Sequence, residues 1–170
     1  MNLLLHTSNS GGDSLCHEKQ FLISLLLQDT TVTIANYYTG DTLDWGLFKG
    51  ISGTPKKAFY AFKAFGKLLD TPQRVACTGS DEEDGLVMGA GLAADRKTAQ
   101  ILLTNFESKS SRFRIELHNL PWKDLPEVEI FTVDANKNLD SISKKRLTAA
   151  NAVIEVDCPA PSVLLVRLTP

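Results

Sequence analysis

The residues best equipped for chemistry cluster between Tyr37 and Trp45. Paired phenols at Tyr37 and Tyr38 are followed by carboxylates at Asp41 and Asp44 and by the indole of Trp45. Two carboxylates this close in sequence suit acid–base work if both face one ligand. The aromatic rings offer flat apolar surfaces, and a phenol adds a hydrogen bond at its edge. Turn formation is the commoner use of loop aspartates. Asp41 and Asp44 are therefore read as shaping a ligand subsite rather than as a catalytic pair. Neighbouring strand residues point to opposite faces, so only one of Tyr37 and Tyr38 can face a site while the other packs beneath it. His6 is a further candidate for the same pocket, with a solvated loop histidine as its plain alternative.

Other chemistries find no support. The histidines His6, His17 and His118 are too dispersed for a metal motif, and no CxxC pair joins Cys16, Cys77 and Cys158. These cysteines are read as reduced, mostly buried thiols. The acidic run Asp81–Asp84 lacks the alternating ligand spacing of a calcium loop and reads as a solvated turn before Gly85. The Lys144–Arg146 run is another solvated stretch. No phosphate-binding glycine loop, dinucleotide fingerprint or nucleophile elbow occurs, and no cofactor is expected.

The candidate loop sits between elements that would hold it. Leu15, Phe21, Leu22, Leu25 and Leu26 give a helical face over about 11–28, stopped by Asp29-Thr30-Thr31. Val32, Ile34 and Ala35 form a short strand, making one αβ step. A loop running from Tyr37 to Gly53 is long enough to be functional. Thr54-Pro55 then reads as a cap and first residue of a helix over 54–69, with apolar positions at Ala58, Phe59, Ala61, Phe62, Phe65, Leu68 and Leu69. Asp70-Thr71-Pro72 ends it. Beyond Pro72 the period becomes alternating. Strands are expected at 74–78, 86–93, 99–105, 112–117, 128–133, 152–157 and 162–168, which is the pattern of an antiparallel β-sandwich. Arg114 and Glu116 alternate with Phe113, Ile115 and Leu117, predicting one wet face.

Bulk composition narrows the function class. With 18 basic and 20 acidic residues among 170, the net charge is −2 and no basic stripe is available for nucleic acid. The apolar runs are too short to span a bilayer, so no membrane partner is expected. Met1 to His6 lacks the basic region and long apolar core of a signal peptide, although an upstream leader in a parent protein leaves localisation open.

The order strand, Tyr37-Tyr38, acidic loop, Trp45-Gly46-Leu47-Phe48, Gly53-Thr54-Pro55-Lys56-Lys57 and an Ala/Phe-rich helix over 34–69 resembles the carboxy-terminal end of retaining glycoside hydrolases related to family 39, the β-xylosidase and iduronidase group. The resemblance implies an α+β composite: residues 1–71 as the incomplete end of a (β/α)8 barrel (helix, strand, loop, helix) and residues 72–170 as a trailing antiparallel sandwich. It implies a carbohydrate partner, with Tyr37, Tyr38, Asp41, Trp45 and His6 as substrate-binding candidates. It also places a nucleophile glutamate just before Met1 and an acid/base glutamate farther upstream, so neither catalytic residue is assigned here. The chain then reads as a fragment that supplies a subsite loop and support but no reaction. Its exposed barrel edges would favour self-association. The alternative is a stand-alone carbohydrate-binding or interaction sandwich, for which the Phe-rich face of the 54–69 helix has no evident partner.

Overall fold

The computed structural model describes residues 2–3, 34–35, 46–81, 83–148 and 152–170. Strands β1 (Asn2–Leu3) and β2 (Ile34–Ala35) pair in parallel, with Asn2 opposite Ile34 and Leu3 opposite Ala35. The expected strand at 32–35 thus has one paired edge. The expected helix over 11–28 lies outside the described residues. Strands β3 (Phe48–Lys49) and β4 (Thr54–Pro55) form a small antiparallel hairpin, and helix α1 (Lys57–Leu69) follows directly.

Thr54 does not cap this helix, contrary to the sequence expectation. It pairs with Lys49 in the hairpin, and Lys56 takes the cap position without a side-chain hydrogen bond. Threonine and proline also suit a strand edge, and pairing with Phe48-Lys49 decided between the two uses. The apolar stripe itself is as expected. Ala58, Ala61, Ala64 and Leu68 are buried, whereas Lys63 and Lys67 are exposed.

The remaining strands are β5 (Gln73–Val75), β6 (Leu86–Leu92), β7 (Ala99–Asn105), β8 (Arg112–Leu117), β9 (Glu127–Val133), β10 (Asn138–Arg146), β11 (Ala152–Asp157) and β12 (Ser162–Thr169). Six of them make an antiparallel sheet in the order β10-β9-β12-β7-β6-β5, and β8 pairs with β11 in a separate ribbon. The last strand therefore inserts at the centre, and the chain crosses between layers around β8 and β11. The chain is mostly β-sheet with a helix, an α+β arrangement, and this region has eight strands where the alternation had indicated seven.

Two cores lie on opposite faces of the six-stranded sheet. On one face, Ala61, Ala64 and Leu68 of α1 pack on Val87, Leu102, Phe106, Val133, Val163 and Leu165. On the other, Ile101, Leu103, Val128, Ile130, Leu164 and Val166 meet Ile115, Ile154 and Val156 of the ribbon. Because β7 and β12 are covered on both faces, they read as continuous apolar runs rather than alternations. The ribbon has one wet face: Ile115 and Ile154 are buried while Arg114, Glu116 and Glu155 are exposed.

Helix α1 approaches the sheet closely because its inner residues are mostly alanine. Beneath its end, β6 presents Gly89 and Gly91 on the same face as Val87, by the two-residue alternation of a strand. Thr71 sits directly on Gly91, where an added Cβ would lie 2.0 Å from the Thr71 carbonyl oxygen. Thr71 is itself held by its hydroxyl, which donates to the Leu68 carbonyl at 2.6 Å.

One edge of the sheet is charged. Among the residues of edge strand β10 are Lys144, Lys145 and Arg146, all exposed, so the basic run is solvated as expected but lies within a strand. The acidic run also behaves as a turn. Asp81 exchanges two backbone hydrogen bonds with Leu86, its carboxylate accepts from the Asp84 N–H at 3.1 Å, and Gly85 adopts φ +71°. Cys77 is half-buried and Cys158 is buried, while Cys16 lies outside the described residues. Burial pushes the Cys158 thiol up to about 11, against a smaller lowering from the Ser162 hydroxyl at 3.2 Å.

Candidate functional site

Tyr37, Tyr38, Asp41, Asp44, Trp45 and His6 all lie outside the described residues. What the structure does define is the frame that receives the candidate loop. Gly46, the residue after Trp45, is buried, and the Leu47 carbonyl accepts from the Lys56 N–H at 2.8 Å. The loop is thereby clasped at its return, one residue pair before α1 begins.

Between those clasp points the β3–β4 hairpin projects outward. Its turn is closed by the Gly53 N–H donating to the Lys49 carbonyl at 3.1 Å, and the Ser52 hydroxyl donates to the same carbonyl at 3.0 Å. Gly50 and Gly53 adopt positive φ, as a tight turn of this kind demands. The hairpin is fixed to α1 through Phe48 and Phe59, whose ring centroids are 5.4 Å apart, and Phe59 meets Tyr60 edge-on at the same distance. Ile51 stands fully exposed at the tip. Sequence reading missed this hairpin; the Gly50 and Gly53 spacing between Phe48-Lys49 and Thr54-Pro55 is the signal that could have revealed it.

The start of α1 is pinned over the β9–β10 turn. The Lys57 ammonium donates to the Lys137 carbonyl at 2.9 Å and to Asn138 Oδ1 at 2.7 Å. A cation in the first helical turn opposes the helix dipole, and these two bonds offset that cost. Beneath this turn lies a void of about 20 Å³, lined mainly by apolar groups such as Ala58, Ala61 and Val133. The buried Thr104 hydroxyl, which also lines it, has no hydrogen-bond partner. One water molecule fits such a space. His118 ends strand β8 on the surface, 3.6 Å from Glu116. Among the described residues no group of three His, Cys, Asp or Glu side chains is placed to hold a metal ion. No helix among them is long and apolar enough to cross a membrane.

With the frame in place, comparison with solved structures is informative. A glucosidase from Croceicoccus marinus superposes with a TM-score of 0.81 at 20% identity, over 99% of this chain and 44% of that one. The family 30 subfamily 8 xylanase Xyn30A from Clostridium acetobutylicum gives 0.68 at 16% identity, over 95% and 41% respectively. The family 39 enzyme from Xanthomonas axonopodis pv. citri gives 0.66 at 14%, over 92% and 40%. The fold is one found in glycoside hydrolases. These identities establish the fold and not the reaction. The chain spans less than half the length of each of these enzymes. No protein-family model matches it, and no curated protein does. Family 39 is one of several glycoside hydrolase families among the neighbours, beside families 30 and 44.

Proposed function

We propose that this chain serves a glycoside hydrolase as its closing barrel segment (1–71) and supporting sandwich (72–170). In this role it supplies a sugar subsite, with the reaction's carboxyl pair carried elsewhere. The observation that carries the reading is the parallel pairing of β1 with β2. About thirty residues separate the paired strands, and the β3–β4 hairpin and α1 follow the second. Parallel neighbours require a crossover of this length, usually helical. In a barrel, the loops after the strands form the active-site face. The segment after β2, expected from the sequence to be a loop, holds Tyr37, Tyr38, Asp41 and Trp45. The likeness to glycoside hydrolases over nearly the whole chain supports the same reading, and family 39 is the proposed affiliation because of the motif order over 34–69.

Trp45 is proposed as the stacking platform for a sugar ring, with one of the tyrosines, Asp41 and His6 hydrogen-bonding its hydroxyls. Titration of the chain with xylotetraose and cellotetraose should perturb the Trp45 indole resonance saturably. Trp45→Ala should weaken binding by about 1–2 kcal/mol, within the range for an aromatic stacking contact with its buried area. Unchanged affinity in the variant removes Trp45 from the subsite.

A second reading, the stand-alone carbohydrate-binding or interaction module, is favoured by one observation. The sheet already covers the alanine face of α1, so this helix needs no barrel partner there. Solution mass decides between the two. The barrel-segment reading expects self-association through uncovered strand edges and apolar helix surface. A monodisperse monomer by light scattering, with strong amide protection across residues 15–69, would favour the module.

A further inference from the structure

A cleft lies at the carboxy-terminal end of α1. It encloses about 460 Å³, within the size range of small-molecule sites. Its floor is the helix-facing side of the sheet, with Gln100 of β7, Phe131 of β9, and Leu165 and Arg167 of β12. Lys67, Asp70 and Thr71 close it from α1, and Ala93 to Asp95 with Thr98 close it from the β6–β7 turn.

One polar group of this floor is buried and fixed, and a second, Arg167, is exposed but held. Gln100 is 5% exposed, and its amide nitrogen donates to the Lys67 carbonyl at 2.8 Å, which keeps its oxygen as an acceptor. The Arg167 guanidinium lies over the Phe131 ring, 5.4 Å from its centroid, and pairs with Glu129. Burial pushes the Glu129 carboxyl up, but hydrogen bonds from Arg167 and Ser141 and the charges of Arg167 and Lys144 outweigh it, so the group sits below its ordinary value. Arg167 is thus a positioned donor whose charge is already answered.

The balance of charges selects the ligand. An anion would meet Asp70 and Asp95 at the rim, and a cation would meet Lys67 and Arg167. A purely apolar ligand would desolvate all four. A neutral molecule with many hydroxyls and one apolar face meets all four groups without bringing a charge that either sign would repel. We infer that this cavity is a second, non-catalytic binding site for a neutral sugar. Hydroxyls bond Gln100, Asp70 and Thr98 there, and the ring's apolar face rests on the edge of Phe131. The site shares only its ligand class with the function proposed for the loop.

The test is an NMR titration of the complete chain with xylotetraose and, separately, cellotetraose, reading the amides of Thr98, Gln100 and Arg167 beside the Trp45 indole. Saturable shifts at the three cavity amides are expected with at least one probe. Combined Asp70→Ala and Thr98→Val substitution should weaken that binding about tenfold, as expected for lost hydrogen bonds. Silent cavity amides, or shifts unchanged in the double variant, overturn the second site. Trp45 shifts with silent cavity amides reject it while leaving the loop reading intact. The reverse pattern supports the cavity site and rejects the loop. Should the double variant fail to fold, the titration of the unaltered chain still decides.

Discussion

Gly91→Ala is expected to destabilise the protein by about 3 kcal/mol, the upper part of the range for overpacking a close contact. The measurement is the urea midpoint at unchanged slope. The added methyl would sit 2.0 Å from the Thr71 carbonyl oxygen and 2.7 Å from its hydroxyl oxygen. The nearer atom is backbone and cannot rotate away. Relief requires lifting the end of α1 off β6, and that movement disturbs two further contacts. Thr71 would lose the geometry of its bond to Leu68, and Gln100 would lose its bond to the Lys67 carbonyl. Leu68, 6% exposed, would be partly withdrawn from the core. A loss under about 0.5 kcal/mol, typical of an unconstrained surface position, would mean that the helix end is loosely seated. Gly66→Ala is the control. Nothing lies within 4 Å of the corresponding Cβ, and its helical site favours alanine, so stability should rise slightly.

Most of the β region after α1 was legible because its strands obey simple patterns. The bounds of β7, β8 and β11 coincide with the sequence expectation, since turn residues flank each and apolar side chains recur at the period the layers require. Strand β10 was not legible. Its sequence, Asn138 to Arg146, is polar on both faces apart from Leu139 and Ile142, and its strand state comes from pairing with β9 at the sheet edge. Edge strands protect themselves with lysine, which also erases their alternation. Thr54-Pro55 failed for a related reason: a local cap signal was outweighed by a hairpin partner six residues earlier in the chain. The partner of α1 was equally hidden. Nothing in its own sequence says that the small residues Ala58, Ala61 and Ala64, rather than the phenylalanines, face the sheet most deeply.

The proposed site divides in the same way. Residue types at Tyr37, Tyr38, Asp41, Trp45 and His6 suggested ligand chemistry, yet their mutual geometry lies outside the described residues. The second cavity left no local signature at all. Its polar groups come from α1, from the β6–β7 turn and from β7, β9 and β12, so only the strand order assembles them. Gln100 shows the difficulty best. In sequence it is one polar residue before the apolar run Ile101 to Leu103, and its function depends on α1 ending above it.

Asn105→Ala should cost about 3 kcal/mol, again read as a shift in urea midpoint, because this one amide ties the β7–β8 loop to the β11–β12 loop. Asn105 is fully buried at the end of β7. Its amide nitrogen donates to the Ser110 carbonyl at 2.8 Å and to the Cys158 carbonyl at 2.7 Å, and its oxygen accepts from the Ser108 N–H at 3.0 Å. Each net hydrogen bond contributes about 1 kcal/mol, and a buried group left unpaired costs about 1–3 kcal/mol more. The Cys158 carbonyl is the partner most exposed to that second cost, since Cys158 is 0% exposed and water reaches it poorly. Asn105→Asp separates the two contributions. A carboxylate keeps the acceptor for Ser108 but removes both donors, so it should destabilise at neutral pH at least as much as alanine does. Protonation restores one donor and removes the buried charge. The penalty should therefore shrink as pH falls through the carboxyl's raised range, relative to the unaltered protein. A penalty that does not change with pH would show that the loops relax to admit water, and that the ends of β7 and β11 are held by their strands rather than by this side chain.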